Sequence, residues 1–537
     1  MSNKSREEKE SFDAIVVGAG FAGLCMLHRL KQIGLSVKSF EVGTGVGGTW
    51  YWNRYPGARC DVESWEYSYS FSEELEQEWD WSERYAAQPE ILSYLKHVAE
   101  KFNLYDCINF NTRVKSAIFD EHQKKWVIQT DCSKTSYTAK YCIMATGCLS
   151  SANIPQIEGF TDYQGESFHT GNWPKEEIDF SKKKVGIIGT GSSSIQATPI
   201  IASQADQLFV FQRTPNWSVP ARNAPMPASE MKRIKESYQS LRREQRKLPL
   251  AAQKPPNRAS ALEVSDEQRK EAYENYWEIG GLSFLGAFKD IATNPEANET
   301  ATKFLTKKIQ ETILDKDLVK KLIPDHYLGC KRPCSDTGYY DTFNRKNVML
   351  VDSREEPIIR LSKDGIVSAK REYRLDSIIF ATGFDAMTGS LDKIDIRGRN
   401  NLTLKEKWAA GPKTYLGLGT AGFPNFFIIA GPGSPSVLAN MVVGIEQHVD
   451  WIGDCIRYLK DNDKNQIDPD PSAESEWVEH VNEVASRTLY TGCNNWYLGA
   501  NIPGKPRVFM PYIGGFPKYV RKCEQVVEDG YVGFNIS

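Results

Sequence analysis

Two glycine-rich turns are answered, at nearly the same distance, by residues of opposite charge. Gly18-Ala19-Gly20-Phe21-Ala22-Gly23 is followed by Glu41, 23 residues beyond Gly18, and Gly189-Thr190-Gly191 by Arg213, 24 residues beyond Gly189. Glycines so spaced let the backbone approach a pyrophosphate, and the later residue reads the ribose. A carboxylate accepts hydrogen bonds from a 2′-hydroxyl, whereas an arginine suits a 2′-phosphate. The turns therefore predict FAD at the first and NADPH at the second, with redox chemistry between them. Ser194 stands where the second turn would have its third glycine, which loosens helix–strand packing without blocking phosphate.

Just after Glu41, the stretch Gly47-Gly48-Thr49-Trp50-Tyr51-Trp52-Asn53-Arg54-Tyr55-Pro56-Gly57-Ala58-Arg59-Cys60-Asp61 crowds glycines, aromatics and ions together. It reads as a wall around a flat aromatic ligand, with glycines permitting close approach and Asp61 setting an ion. A third stretch, Tyr163 to Pro174, contains Gly165, His169, Trp173 and Pro174 and lies just before the second nucleotide strand. His169 there reads as a hydrogen-bonded linker histidine before it reads as a general base.

The elements that must position these residues follow from periodicity. Asp13-Ala14-Ile15-Val16-Val17 predicts a strand into the first turn, Leu24 to Ile33 a helix, and Ser36 to Phe40 a strand with Glu41 at its carboxyl end. The unit repeats as a strand at Lys184 to Ile188, a helix over Ile195 to Ser203 and a strand at Gln207 to Gln212, with Arg213 directly after. Charged helical stretches such as Ser229 to Leu248, broken at Pro255-Pro256, predict a helical insertion. Its cluster of Arg242, Arg243, Arg246 and Lys247 reads as a solvated helix face. The expected class is α/β, with two Rossmann-like dinucleotide-binding domains and a helical insertion.

A chain of 537 residues exceeds one hydrophobic core, so two or three domains are expected. A net charge of −3 gives no case for nucleic acid or an anionic membrane as partner. The polar start lacks a secretory apolar region, and no apolar run approaches the roughly 18 to 20 residues of a membrane helix, which predicts a cytoplasmic protein. The run Phe426 to Ala430 suits a buried strand. Eleven scattered cysteines in so large a chain need no disulfide staples and read mostly as small core residues. Cys330 and Cys334 lack a second Cys or His pair, so no metal is expected, and no cysteines show the Cys-x₄-Cys spacing of a flavin disulfide reductase.

With the Tyr163 to Pro174 stretch the chain resembles the flavin-dependent type I Baeyer–Villiger monooxygenases, whose fingerprint runs Phe-x-Gly-x-x-x-His-x-x-x-Trp-Pro/Asp. Gly165, His169, Trp173 and Pro174 match, and Tyr163 replaces the phenylalanine. The Gly47 to Asp61 stretch matches the second family pattern, and Lys331-Arg332-Pro333, Asp336 to Tyr340, Phe343-Asn344-Arg345 and Trp496 to Lys505 extend the likeness over nearly the whole chain. Gly431-Pro432-Gly433-Ser434-Pro435-Ser436, continuing to Met441, is similar to the active-site loop of the phenylacetone monooxygenase branch.

The resemblance implies that Arg332 is catalytic and that Asp61 orients it. It implies that Lys331 joins Arg213 at the 2′-phosphate, that Thr214 follows there, and that Trp496 contacts NADP. It also implies cofactor contacts from Gly18, Gly20, Phe21, Ala22, Gly23, Glu41, Gly48, Thr49, Trp50, Arg59, Cys60, Tyr67, Val114 and Met441, and from Thr190, Gly191, Ser192, Ser193, Ser194 and Gln196. NADPH would reduce FAD, dioxygen would add to the reduced flavin, and the flavin-borne peroxide would attack a ketone to give an ester or lactone. Sulfides would be further substrates, and the state a monomer or weak homo-oligomer. The segments Ile143 to Gly147 and Ile378 to Gly383, each ending in Ala-Thr-Gly, would mark domain joints. Residues 1–147 and 381–537 would form the FAD domain, 148–221 and 331–380 the NADP domain, and 222–330 the insertion. The rivals are a heteroatom-oxidising flavin monooxygenase and a non-catalytic dinucleotide-fold protein.

Overall fold

The computed structural model describes residues 9–132, 135–252 and 255–537; the polar residues 1–8 lie outside it. Two sheets carry the two glycine turns. In the first, the strand Lys9–Val17 lies between Val37–Phe40 and Ser136–Met144, parallel to both. Pairing of Val17 with Phe40 sets Glu41 at the carboxyl edge beside Gly18. That edge is where doubly wound sheets receive ligands. An antiparallel hairpin, Val114–Asp120 and Lys125–Thr130, widens the sheet, and Asp395–Arg397 and Phe426–Ile428 return to it from late in the chain.

The second sheet is wholly parallel, in the order Val348–Asp352, Gln207–Gln212, Lys184–Ile188, Ser377–Phe380, Glu166–His169. Helices Phe21–Gln32 and Ser192–Gln204 follow the two turns, each opening one residue past the second glycine. They begin three residues earlier than periodicity predicts: Ser192 to Ser194 carry no apolar signal, and Phe21 to Gly23 are part of the glycine turn itself.

The two Ala-Thr-Gly segments do the same work in both sheets. Each follows the strand beside the nucleotide strand, and its alanine carbonyl closes on the first glycine of the turn. A Cβ on Gly18 would lie 2.5 Å from the Ala145 oxygen, and one on Gly189 2.4 Å from the Ala381 oxygen. Both glycines also have positive φ, +109° and +113°. Each position is thus closed to a side chain twice over. The third positions differ. A Cβ on Gly23 would meet the Gly18 oxygen at 1.9 Å, whereas Ser194 fits its place fully buried, so the helix stands further off the second turn.

The insertion consists of helices Ala228–Lys247, Asp266–Ile279, Pro295–Thr312 and Lys316–Leu322. Met231, Ile234 and Tyr238 of the first join the core beneath the first sheet, and Tyr273, Leu305 and Leu322 of the others join that of the second. This docking overturns the reading of the basic cluster as one solvated face. Arg243, Arg246 and Lys247 are exposed, but Arg242 is buried, donating from Nε to Glu76 at 2.9 Å and from NH2 to the Ser68 hydroxyl at 2.8 Å. Burial holds the Glu76 carboxyl above its ordinary range despite Arg242 beside it. The sequence pattern sees only the helix, and the acidic partner lies 166 residues away.

Removing one partner of a buried pair strands the other charge. Arg242→Ala should cost about 3–5 kcal/mol in urea unfolding. Arg243→Ala, on the exposed side, should stay within about 0.5 kcal/mol. Equal effects would show that the insertion is not anchored at Arg242.

Candidate active site

At the first turn Glu41 is buried and already oriented. Its Oε2 accepts from the Ala19 amide at 2.8 Å and its Oε1 from the Gly43 amide at 2.7 Å. Burial raises its pKa, opposed by those backbone donors. Each oxygen keeps a lone pair for a ribose hydroxyl. Gly48 abuts the turn so closely that a Cβ there would lie 2.9 Å from Gly20 Cα. Trp50 Nε1 donates to the Tyr67 hydroxyl at 3.3 Å, and Phe21 meets Tyr67 edge-on at 5.1 Å. Val114 opens the strand Val114–Asp120 of the same sheet with its side chain in the core, and Met441 begins helix Met441–Asp461, half-buried. These glycines, aromatics and the acceptor fit a flavin dinucleotide.

At the second turn a Cβ on Gly191 would meet no atom within 4 Å. Protein packing does not demand that glycine, and the open space fits a pyrophosphate above the helix start. Thr190 Oγ1 donates to the Thr214 carbonyl at 2.7 Å, tying the turn to the residue after Arg213. Lys331 stands near Arg213: burial first, then the Arg213 charge, hold its pKa below the lysine range. Among the described residues neither cation has a carboxylate in ion-pair contact. Two adjacent cations, with only the more distant Asp325 carboxylate acting on Lys331, suit a phosphate dianion.

The two units meet at the Gly47 to Asp61 stretch. The Tyr55 hydroxyl donates to Gln196 Oε1 at 2.8 Å, and Gln196 Nε2 to the Arg59 carbonyl at 3.2 Å. A Cβ on Gly57 would meet the Gln196 carbonyl oxygen at 2.5 Å. Gln196 therefore joins the halves through its side chain, and the Arg59 guanidinium is taken up by Glu83 at 2.6 Å. Ser193 lies against the Tyr55 hydroxyl, Ser192 Oγ is 3.4 Å from Cys334 Sγ, and Cys60 is a buried thiol pushed up by burial.

Arg332 follows directly from this junction. Its Nε and NH2 donate to the two Asp61 oxygens at 2.9 and 3.0 Å, and its NH1 to the Val437 carbonyl at 2.8 Å. Burial alone would lower its pKa, but Asp61 and the Tyr497 hydroxyl hold it above its ordinary value. Asn216 Nδ2 donates to the Arg332 carbonyl at 3.0 Å. Around it Cys148, Met387, Val437, Tyr497 and Met510 form an apolar cluster joined by Trp496 and Met441. The arrangement offers one fixed positive charge, about a quarter exposed and flanked by apolar side chains, between two nucleotide turns.

His169 is a linker. Its Nδ1 accepts from the Gly171 amide at 2.9 Å, and its Nε2 lies 3.3 Å from both the Asn153 carbonyl and the Thr382 hydroxyl. Burial lowers its pKa. The Trp173 amide donates to the Trp52 carbonyl at 3.0 Å, so the fingerprint fastens the flavin-side stretch to the second sheet.

Sequence reasoning missed several participants. Val437 acts through its backbone, and Tyr497 had no signal beyond its place beside Trp496. His448 accepts at Nδ1 from the Ala430 amide at 3.0 Å, its Nε2 lies 2.7 Å from the Tyr519 hydroxyl, and burial lowers its pKa to about 3. It anchors the start of the Gly431 to Met441 loop. The cysteines require a correction. Seven are buried and free as expected, but Cys330 and Cys493 form a disulfide across 163 residues. No group of metal-ligand type occurs among the described residues, and no described helix is long and apolar enough to cross a membrane.

Residues 15–316 match the family described as pyridine nucleotide-disulphide oxidoreductase. A Baeyer–Villiger monooxygenase of Pseudooceanicola batsensis is 39% identical over 97% of this chain and 95% of its own. A steroid monooxygenase solved with NADP is 52% identical, with a TM-score of 0.94 over 98% of this chain and 99% of that one. A structure of OTEMO with FAD and NADP is 39% identical, with a TM-score of 0.95 over 99% and 100% of the two chains.

If Arg213 and Lys331 read a 2′-phosphate, replacing either by alanine removes charge-assisted hydrogen bonds worth about 1.5–3 kcal/mol. Calorimetric titration should show NADP⁺ binding weakened by about 10- to 100-fold and NAD⁺ binding nearly unchanged. Equal losses for both dinucleotides would remove the 2′-phosphate from this pair. Since Lys331 loses its proton at lower pH than a surface lysine, NADP⁺ affinity should decline earlier on the alkaline side than the usual lysine range.

Proposed function

The chain belongs to the Baeyer–Villiger flavoprotein monooxygenases, and from that premise we propose that it inserts one oxygen atom of O₂ beside a ketone carbonyl, giving an ester or lactone. The carrying observation is the Arg332–Asp61 pair, held where the loops of both nucleotide sites meet. FAD would be held by Gly18, Gly20, Gly23, Glu41, Gly48, Thr49, Trp50 and Tyr67, with Val114 and Met441 at its margins. NADPH would be held by Thr190, Gly191, Ser192, Arg213, Thr214, Lys331 and Trp496. The bound flavin, reduced by the nicotinamide, supplies activation of dioxygen.

The protein's part is electrostatic. Three of the five guanidinium N–H groups of Arg332 are committed to Asp61 and Val437, leaving two for the Tyr497 hydroxyl and for an oxygen anion. A guanidinium keeps its proton throughout, so it stabilises developing negative charge without taking part in proton transfer. The two-point contact with Asp61 fixes its plane, and Val437 fixes its direction. The apolar cluster excludes water, which strengthens the charge and keeps reactive oxygen from solvent. His169 has a joining role in this reading.

Strand membership in the two sheets supports residues 1–147 with 381–537 as the FAD domain, 148–221 with 331–380 as the NADP domain and 222–330 as the insertion. Sulfide oxidation at the same site, a cytoplasmic location and a monomer or weak homo-oligomer complete the proposal.

Removing a preorganised donor to an oxyanion costs about 10²–10³ in rate. Arg332→Ala should still bleach the flavin with NADPH yet lose ester formation by at least about that factor. Asp61→Ala should weaken both steps. A ketone panel with products identified checks both, and normal ester yield from Arg332→Ala would refute the assignment.

A further inference from the structure

Cys330 immediately precedes Lys331 and Arg332, and Cys493 lies three residues before Trp496. Their disulfide, with Cα atoms 6.0 Å apart, is a covalent link between the segment carrying the fixed charge and the aromatic loop beside it. The other nine cysteines are free, so this is no disulfide scaffold. The Tyr497 hydroxyl also bonds the Arg332 guanidinium across the two segments, and the far end of the loop is tied elsewhere, by Asn501 Nδ2 to the Phe384 carbonyl at 2.7 Å and by Lys505 Nζ to the Ala386 carbonyl at 2.9 Å and to Asp385. Asn495 Nδ2 donates to the Cys330 carbonyl at 2.9 Å and to the Tyr490 carbonyl at 2.8 Å. The Tyr490 ring covers Gly329 and the Tyr327 ring covers Gly492. On the other side, Asn298 fastens the Cys330 segment to the insertion through the Leu328 amide and carbonyl at 3.0 and 2.9 Å. Arg332's segment is therefore anchored, and the bridge restrains the start of the loop, Gly492 to Trp496, while Asn501 and Lys505 hold its far end.

We propose that Cys330–Cys493 is a redox-operated tie that holds the Trp496 loop closed over the nicotinamide dinucleotide site. Cys330 is buried and Cys493 half-exposed, so reagents meet Cys493 first. In the oxidising direction the Cys493 thiol loses its proton, the thiolate attacks hydrogen peroxide and becomes a sulfenic acid, and the expelled hydroxide takes up that proton as water. The Cys330 thiol then displaces the hydroxyl as a second water, so two thiols and one peroxide give one disulfide and two waters. In the reducing direction a dithiol attacks Cys493 Sγ, the Cys330 thiolate leaves, and the second thiol of the reductant resolves the mixed disulfide. Peroxide is what a flavin monooxygenase releases when oxygen transfer fails, so leakage would tighten the loop that prevents it. Only this consequence rests on the reading of function above.

The test uses the wild-type holoenzyme, treated with hydrogen peroxide and then catalase, or with dithiothreitol. Alkylation with mass analysis reads the bridge, chymotryptic cleavage after Trp496 reads loop opening, and NADP⁺ titration reads retention. Oxidised protein should protect both cysteines, resist cleavage about tenfold longer and bind NADP⁺ more tightly. Dithiothreitol should reverse all three, and Cys493→Ser should remain at the reduced values under either treatment. Alkylation of both cysteines after peroxide would overturn the tie. Cleavage and NADP⁺ affinity indifferent to oxidation would do the same, and altered cleavage at constant affinity would overturn its role in retention. Ester yield is measured separately, so failure of the functional reading would show there and leave these readouts as they are.

Discussion

A positive charge largely withdrawn from water among apolar side chains is stable only if its counter-ion and its remaining donors are fixed by other parts of the protein. Arg332 meets that condition through segments far apart in the chain: Asp61 from the flavin-side stretch, the Val437 carbonyl from the Gly431 to Met441 loop and Tyr497 from the C-terminal loop. The rest of the architecture can be read as the means of bringing them together. The late strands Asp395–Arg397 and Phe426–Ile428 return the chain to the first sheet, which sets the Gly431 loop beside Asp61. Asn440 caps the helix that follows and donates to the Glu66 carbonyl, and so pins the loop's far end.

The two nucleotide units obey one construction rule with different tolerances. In both, the alanine carbonyl of an Ala-Thr-Gly segment occupies the place a side chain would take on the turn's first glycine. At the third position the first unit admits nothing larger than glycine, whereas the second accepts Ser194. Their junction is mixed: Tyr55 and Ala58 join the apolar core of the second sheet, while Gln196, Arg59 and the Tyr55 hydroxyl supply the polar contacts.

What the sequence discloses tracks the range of each interaction. Glycine turns, Glu41 and Arg213 are legible because strand, turn and helix are local and the ribose reader follows within one unit. Asp61 and Arg332, 271 residues apart, were linked only through resemblance to a family. Val437 contributes a carbonyl, which any residue could supply, so no side-chain pattern marks it. Arg242 misleads for a related reason: its charged neighbours resemble a solvated face, and only the docked helix reveals Glu76. The Cys330–Cys493 bridge is invisible from spacing, since eleven cysteines in a large chain allow many pairings and demand none.

The neutral imidazole of His448 carries a cost that appears only in acid. Its pKa near 3, and that of His28 near 4, both arise first from burial, while in the unfolded chain these rings ionise near 6.5. Below that value the unfolded chain takes up protons that the folded one refuses, so stability falls steadily as pH drops toward 4 and then 3. Both rings belong to helices packed on the first sheet, one of them fastening the loop beside Arg332. Burial lowers the pKa of His169 and of His326 in the same direction, so the second sheet and the insertion share this acid sensitivity with side chains that do no chemistry.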